Sequence, residues 1–171
     1  ESVGTRDLSS LKNVGGGGAA APPELVKRIQ EVLPGRAMGT GYGMTETSPV
    51  STQTAIRDPV ELCVSTVGRV RPHVEIKIVD VEGNTVARGL PGEFCTRGYS
   101  VMQGYWDDKA RTREAIDADG WMHTGDLATM DEQQYVKIVG RLKDMVIRGG
   151  ENIYPREIEE FLYHHPKVQE V

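Results

Sequence analysis

Three short stretches of this chain carry residue types that could handle a nucleotide: Gly-Tyr-Gly-Met-Thr-Glu at 41–46, Trp-Met-His-Thr-Gly-Asp at 121–126, and Gly-Arg-Leu-Lys-Asp-Met-Val-Ile-Arg-Gly-Gly-Glu-Asn-Ile-Tyr-Pro at 140–155. Tyr42 lies between Gly41 and Gly43, so its ring can be presented on a tight backbone, where a stacked adenine gains about 1 kcal/mol or more. Thr45 can donate its hydroxyl to a phosphate oxygen, and Glu46 can hold a Mg2+ ion that offsets phosphate charge. Asp126 offers two acceptor oxygens to a pair of ribose hydroxyls, and Gly125 before it permits a sharp turn. Arg141 follows as a basic partner. Each stretch also has a plainer reading: a glycine-rich turn with an incidental tyrosine, a Thr-Gly-Asp surface turn, a surface hairpin. Together they supply an aromatic face, a hydroxyl and carboxylate for phosphate, an acidic ribose clamp and a cation.

These groups need elements to hold them. Leu25, Val26, Ile29, Val32 and Leu33 fall on one face at helical spacing, between Pro23 and the Pro34-Gly35 stop. Residues 36–41 then read as a short strand entering the first motif. Val74, Ile76 and Ile78 alternate with Glu75 and Lys77 as in a half-buried strand, and a second strand is expected over 94–97 after Pro91-Gly92. A helix over 108–116 and a hairpin built from 127–130 and 135–139 around a polar turn complete a middle block that reads as a mostly antiparallel subdomain, a distorted barrel. Beyond Gly140 a strand at 145–147, a turn at Gly149-Gly150, and a helix opening at Pro155 with Ile158, Phe161 and Leu162 on a buried face begin a new unit. Pro166 stops that helix and residues 168–171 start a further strand. The fold class expected is α+β. Residues 1–65 would end an α/β subdomain, 66–140 form the β subdomain, 141–143 a hinge, and 144–171 the start of a small α+β C-terminal domain.

Composition limits the partners. Among 171 residues, 20 basic against 25 acidic side chains give a net charge of −5, which leaves no basic footprint for nucleic acid. No apolar run approaches the roughly 20 residues of a membrane span, and no secretory signal pattern opens the chain. Cys63 and Cys95 are too few and too far apart for a disulfide framework, so a reducing, cytoplasmic setting is the default expectation. Oligomeric state is not written in the sequence.

The motifs, in this order, resemble those of the acyl-adenylate-forming, AMP-binding family, which includes acyl-CoA synthetases, luciferases and peptide-synthetase adenylation domains. The resemblance runs over nearly the whole chain and leans toward medium-chain or fatty acyl-CoA synthetases. It implies that Gly41, Tyr42, Gly43 and Met44 line the nucleotide, with Tyr42 flanking the adenine, Thr45 on the α-phosphate and Glu46 on magnesium. The glycine run resembles the family's earlier loop, which would set Gly16, Gly17, Gly18 and Ala19 along the adenine edge and acyl pocket; a flexible linker is the plain alternative. Asp126 and Arg141 would grip the ribose. Lys143 falls where family members pivot between two geometries, and Gly149, Gly150, Glu151 and Asn152 resemble the loop that forms the pantetheine tunnel.

The reaction so implied has two halves: a carboxylic acid attacks Mg·ATP to give an acyl-adenylate and pyrophosphate, and the thiol of coenzyme A then displaces AMP. The family's Ser/Thr/Gly-rich phosphate loop has no match here, nor does its C-terminal lysine. The chain is therefore expected to be an internal piece of a longer enzyme and to form no acyl-adenylate alone. A peptide-synthetase-type or luciferase-type adenylation domain, a non-catalytic AMP-binding module, and a scaffold without ligand affinity are the other readings. Residues 91–98 and 102–106 resemble structural motifs of the family and read as packing and turn positions. His123, beside the second motif, is left without a role. Gly41 and Gly43 leave room for an acyl chain.

Overall fold

The computed structural model describes residues 6–18, 28–29, 31–33, 37–148, 151–163, 165 and 167–168. Among these residues the architecture is mixed α+β, with two four-stranded sheets and one hairpin. The first sheet joins β1 (Asn13–Gly16), β2 (Ala37–Tyr42), β3 (Thr52–Gln53) and β4 (Arg69–Val70) in that order. β1 and β2 are parallel, with Gly15 opposite Gly39 and Gly16 opposite Thr40, so the glycine run begins as a strand. The backbone is helical at 28–29 and 31–32, within the stretch expected to be a helix, but Val32 is 48% exposed. Leu25 and Val26 lie outside the described residues. A short helix, α1 (Val60–Ser65), was not expected; Pro59 opens it, and it packs on β2 through Cys63, whose carbonyl accepts a 2.6 Å bond from Thr40 Oγ1.

The second sheet is antiparallel throughout: β5 (Val74–Val79), β6 (Gly92–Gly98), β7 (Met122–Met130) and β8 (Val136–Arg141). Between β6 and β7 runs α2 (Lys109–Ala115), whose first turn is capped by Asp108 accepting from the Arg111 N–H at 2.9 Å. The sheet does not close into the expected barrel. β5 and β8 remain its edges, and β8 is instead tied to the first sheet by Val67 N–H on the Val136 carbonyl and Val136 N–H on the Gly68 carbonyl, at 2.8 and 2.9 Å. Four strands of this length are too few to curl back on themselves.

Ile78, Phe94, Ala128 and Val136 form the buried core, with Tyr42 from the first sheet and Val67 from the segment before β4 packed against it. Burying a side chain such as Phe94 is worth about 1.5–3 kcal/mol, and here it fastens both sheets around one point. Tyr42 meets Phe94 edge-on, with ring centres 5.0 Å apart.

After β8 come a 3-10 turn (Leu142–Asp144), the antiparallel pair β9 (Val146–Arg148) and β10 (Glu151–Ile153), and α3 (Pro155–Tyr163). The proposed buried face of α3 is exposed: Ile158 by 51%, Phe161 by 78% and Leu162 by 37%. Helical periodicity shows which side chains favour burial, whereas a partner must come from elsewhere in the fold. Val168 lies outside any strand, and Pro166 and residues 169–171 are outside the described residues.

Candidate functional site

The β7–β8 pairing sets Asp126 directly across from Arg141. Arg141 Nε donates to Asp126 Oδ1 at 3.2 Å, and Tyr42 Oη donates to Asp126 Oδ2 at 2.5 Å. One carboxylate therefore joins the tyrosine of the first motif, the aspartate of the second and the arginine of the third. The Asp126 side chain is only 17% exposed, yet its two oxygens together offer about four acceptor positions. Two are used by protein, which leaves capacity for a vicinal pair of hydroxyls. Burial, and after it the bond to Asp126, push the Tyr42 phenol well above its ordinary value, so it stays a donor at neutral pH.

Asp126 stands at an irregularity. Glu93 faces Leu127 and Cys95 faces His123, so β7 carries extra residues where β6 has only Phe94. Such a bulge strips backbone groups of their ladder partners and re-aims the side chain that follows. Side chains collect those groups: Thr124 Oγ1 donates to the Phe94 carbonyl at 2.7 Å, Asp126 N–H reaches Thr124 Oγ1 at 3.2 Å, and Gly125 N–H reaches Glu93 Oε1 at 3.0 Å. Gly125 itself adopts φ +72°, a left-handed conformation that glycine accepts without cost to a Cβ. Glu93 Oε2 also pairs with His123 Nδ1 at 2.8 Å, while His123 Nε2 faces Asp117 at 3.6 Å. Cys95 lies beside this group, its thiol pushed up to about 12 by burial and then by the Glu93 charge.

The phosphate-side residues are built differently. Thr45 and Glu46 sit on a single 3-10 turn (Thr45–Thr47), with Thr47 buried and hydrogen-bonded to Met44 on both sides. Thr45 is exposed. Glu46 Oε1 accepts from Tyr105 Oη at 2.9 Å, and the Glu46 carbonyl accepts from Met102 N–H at 2.8 Å. Among the described residues no hydrogen bond links this turn to Asp126. The glycine before it has a structural duty: a Cβ on Gly43 would stand 1.5 Å from the Pro49 carbonyl oxygen. The space expected there for an acyl chain is filled by the protein's own backbone. At Gly41 a Cβ would come within 3.2 Å of the Thr52 carbonyl oxygen, so that position is close-packed as well.

The parallel β1–β2 pairing sets Gly16 opposite Thr40 and brings Gly17 beside Gly41, close enough that a Cβ on Gly17 would lie 3.3 Å from the Gly41 carbonyl oxygen, while a Cβ on Gly18 would meet nothing within 4 Å. Ala19, Gly149 and Gly150 lie outside the described residues. Lys143 is exposed on the 3-10 turn after β8, and Glu151 opens β10 opposite Arg148. Tyr154 lies over Gly140, 3.9 Å from a Cβ placed there, which joins the two ends of the third motif. Two shallow hollows of about 280 and 270 Å³ share Ile76, Arg88 and Met130 and include none of Tyr42, Glu46, Asp126 or Arg141. Glu93 carries no role in the sequence, and His123, noted beside the second motif, is left without one there. In β6 Glu93 shares the strand with Thr96 and Arg97, so nothing in its local pattern singles it out.

A family model described as "AMP-binding enzyme" matches residues 2–106. The protein YngI of Bacillus subtilis (strain 168), whose acyl-CoA synthetase designation is itself provisional, is 54% identical over 96% of this chain and 30% of its own length. The human mitochondrial medium-chain acyl-CoA ligase is 49% identical over 96% of this chain and 27% of its own. Among solved structures, o-succinylbenzoate coenzyme A synthetase of Bacillus subtilis in complex with ATP and magnesium superposes with a TM-score of 0.84 at 32% identity, over 96% of this chain and 34% of that one. The chain thus spans about a third or less of the proteins it matches. A match over most of its length to one family model, with relatives near half identity, is decisive: the chain belongs to the family of AMP-binding enzymes.

Proposed function

We propose that the protein carrying this chain is an AMP-forming acyl-CoA synthetase, which activates a carboxylic acid with Mg·ATP and passes the acyl group to coenzyme A. The observation that carries the reading is Asp126, held by Tyr42 and Arg141 with acceptor positions to spare. In this reading Asp126 and Arg141 bind the ribose hydroxyls, and Tyr42 flanks the adenine with Gly16, Gly17, Gly18, Ala19, Gly41, Gly43 and Met44 around it. Thr45 donates to the α-phosphate. Glu46 suits Mg2+, since a hard cation takes carboxylate oxygen and only Oε1 is engaged among the described residues. The ion, when bound, would neutralise phosphate charge.

The remaining assignments follow the same reading. Residues 1–65, 66–140 and 144–171 are parts of three units around a hinge at 141–143. Lys143 is the pivot, and Gly149, Gly150 and Glu151 approach the pantetheine arm of coenzyme A. Among the described residues no helix is long and apolar enough to cross a membrane. A cytoplasmic location is the simplest proposal, and a mitochondrial one, as in the human relative's name, is the alternative that cell fractionation decides. The test of function is thioester formation by the full-length protein from ATP, coenzyme A and fatty acids of graded length. Medium-chain acyl-CoA accumulating with AMP supports the proposal, and an adenylate that is never transferred to coenzyme A overturns it. The chain by itself is expected to catalyse no fatty-acid-dependent pyrophosphate exchange.

A further inference from the structure

Asp126 follows an irregularity of β7 that side chains hold in place. The bulge in β7 leaves the Gly125 N–H without a ladder partner, and the group found there is not a backbone carbonyl but Glu93 Oε1 at 3.0 Å. A side-chain acceptor can hold a turn in place only if it is itself held. Glu93 is: its other oxygen pairs with His123 Nδ1 at 2.8 Å, and the far side of that ring faces Asp117 Oδ2 at 3.6 Å. Asp117 in turn accepts from the N–H groups of Asp119 and Trp121 at 3.0 and 2.8 Å, which ties it to the turn leading into β7. The chain of contacts therefore starts at that turn and ends on the peptide immediately before Asp126.

We infer that Glu93 is a positioning residue for nucleotide binding: braced by His123 and Asp117, it stands in for the missing strand partner of Gly125 and so aims Asp126 at the ribose. This rests on the nucleotide reading given above. A hydrogen bond to a charged acceptor is stronger than the amide pair it replaces. Its geometry fixes the left-handed Gly125, and Asp126 follows within one residue. Glu93 contacts neither Tyr42 nor Arg141 in any hydrogen bond, so its effect on ligand must pass through the backbone.

The experiment compares Glu93→Ala, Glu93→Gln and Asp126→Ala in this chain, using calorimetry with AMP and with 2′,3′-dideoxy-AMP, and amide exchange of Gly125 by NMR. Glu93→Ala should weaken AMP about tenfold while leaving the dideoxy analogue within about twofold, for loss of one charge-assisted bond. Glu93→Gln, which keeps an acceptor oxygen, should restore most of the affinity. Adding Glu93→Ala to Asp126→Ala should change nothing further. Equal losses for both ligands would mean a merely structural role and would overturn the inference, as would no loss for either. The nucleotide reading fails separately, by absence of AMP binding in the unaltered chain. In that event Gly125 exchange still decides: at least tenfold faster exchange in Glu93→Ala, with Val136 and Phe94 amides unchanged, supports the positioning role, and unchanged Gly125 exchange refutes it.

Discussion

Asp126 and Glu46 are both carboxylates assigned to one nucleotide, and the fold treats them in opposite ways. Asp126 is set by strand register across from Arg141, has a protein donor on each oxygen, and follows a bulge where side chains take up the Phe94 carbonyl and the Gly125 and Asp126 N–H groups. Glu46 rides on a three-residue turn and is held through one oxygen by one tyrosine, whose own ring carries Arg111 at 4.4 Å. Asp126 is thus held by strand register within one sheet, whereas Glu46 rests on a short turn that Tyr105 and Met102 fasten from a distant part of the chain. A site preorganised by β-ladders resists reorientation, because moving one carboxylate means moving two strands. A site on a short turn can adjust to a metal ion.

Mutations can separate the two ends. The largest effect belongs to Gly43→Ala, because a Cβ there overlaps the Pro49 carbonyl and the turn that carries Glu46 must rebuild. A stability loss above about 3 kcal/mol in urea unfolding is expected. Asp126→Ala comes next: it removes the acceptor of the half-buried Tyr42 hydroxyl, at about 1–3 kcal/mol. Tyr42→Phe should cost about 1 kcal/mol at neutral pH, since the ring stays packed on Phe94.

The same tyrosine gives the ribose end a dependence on alkali. Its folded value is raised, so the stabilisation is complete below the unfolded phenol value of about 10 and is lost as pH rises beyond it. Wild-type stability should therefore fall above about pH 10, and Tyr42→Phe should flatten part of that fall. The smallest change is expected for Tyr105→Phe, within about 1 kcal/mol of wild type in urea. It should alter Mg2+-dependent ATP affinity more than AMP affinity. An equal effect on both ligands would erase the distinction between the two ends.

How far the sequence alone reached follows the same division. Strands β5 and β6 and the hairpin that joins the end of β7 to β8 were readable, because alternation and turn chemistry are local signals. The meeting of Tyr42, Asp126 and Arg141 was legible only through the resemblance, since nothing local says that residues 84 positions apart share a hydrogen bond. Glu93 was not readable as a site residue: its importance arises from a register shift between two strands, and pairing errors of this kind leave no mark on periodicity. The apolar face of α3 was correctly identified as apolar, but burial depends on a partner surface that the described residues do not supply. Gly43 was read as space for ligand, and the space proved to belong to the chain, because close approach of backbone to backbone looks the same in sequence as an open pocket.

The central claim is that Tyr42, Asp126 and Arg141 form a ribose clamp already built in this chain. Calorimetric titration with AMP of the chain and of Asp126→Ala tests it most directly. A dissociation constant on the order of micromolar is expected for the unaltered chain, weakened by about thirtyfold or more in the variant through the loss of charged hydrogen bonds. Equal affinity in the two proteins, or no AMP binding by the unaltered chain, would contradict it.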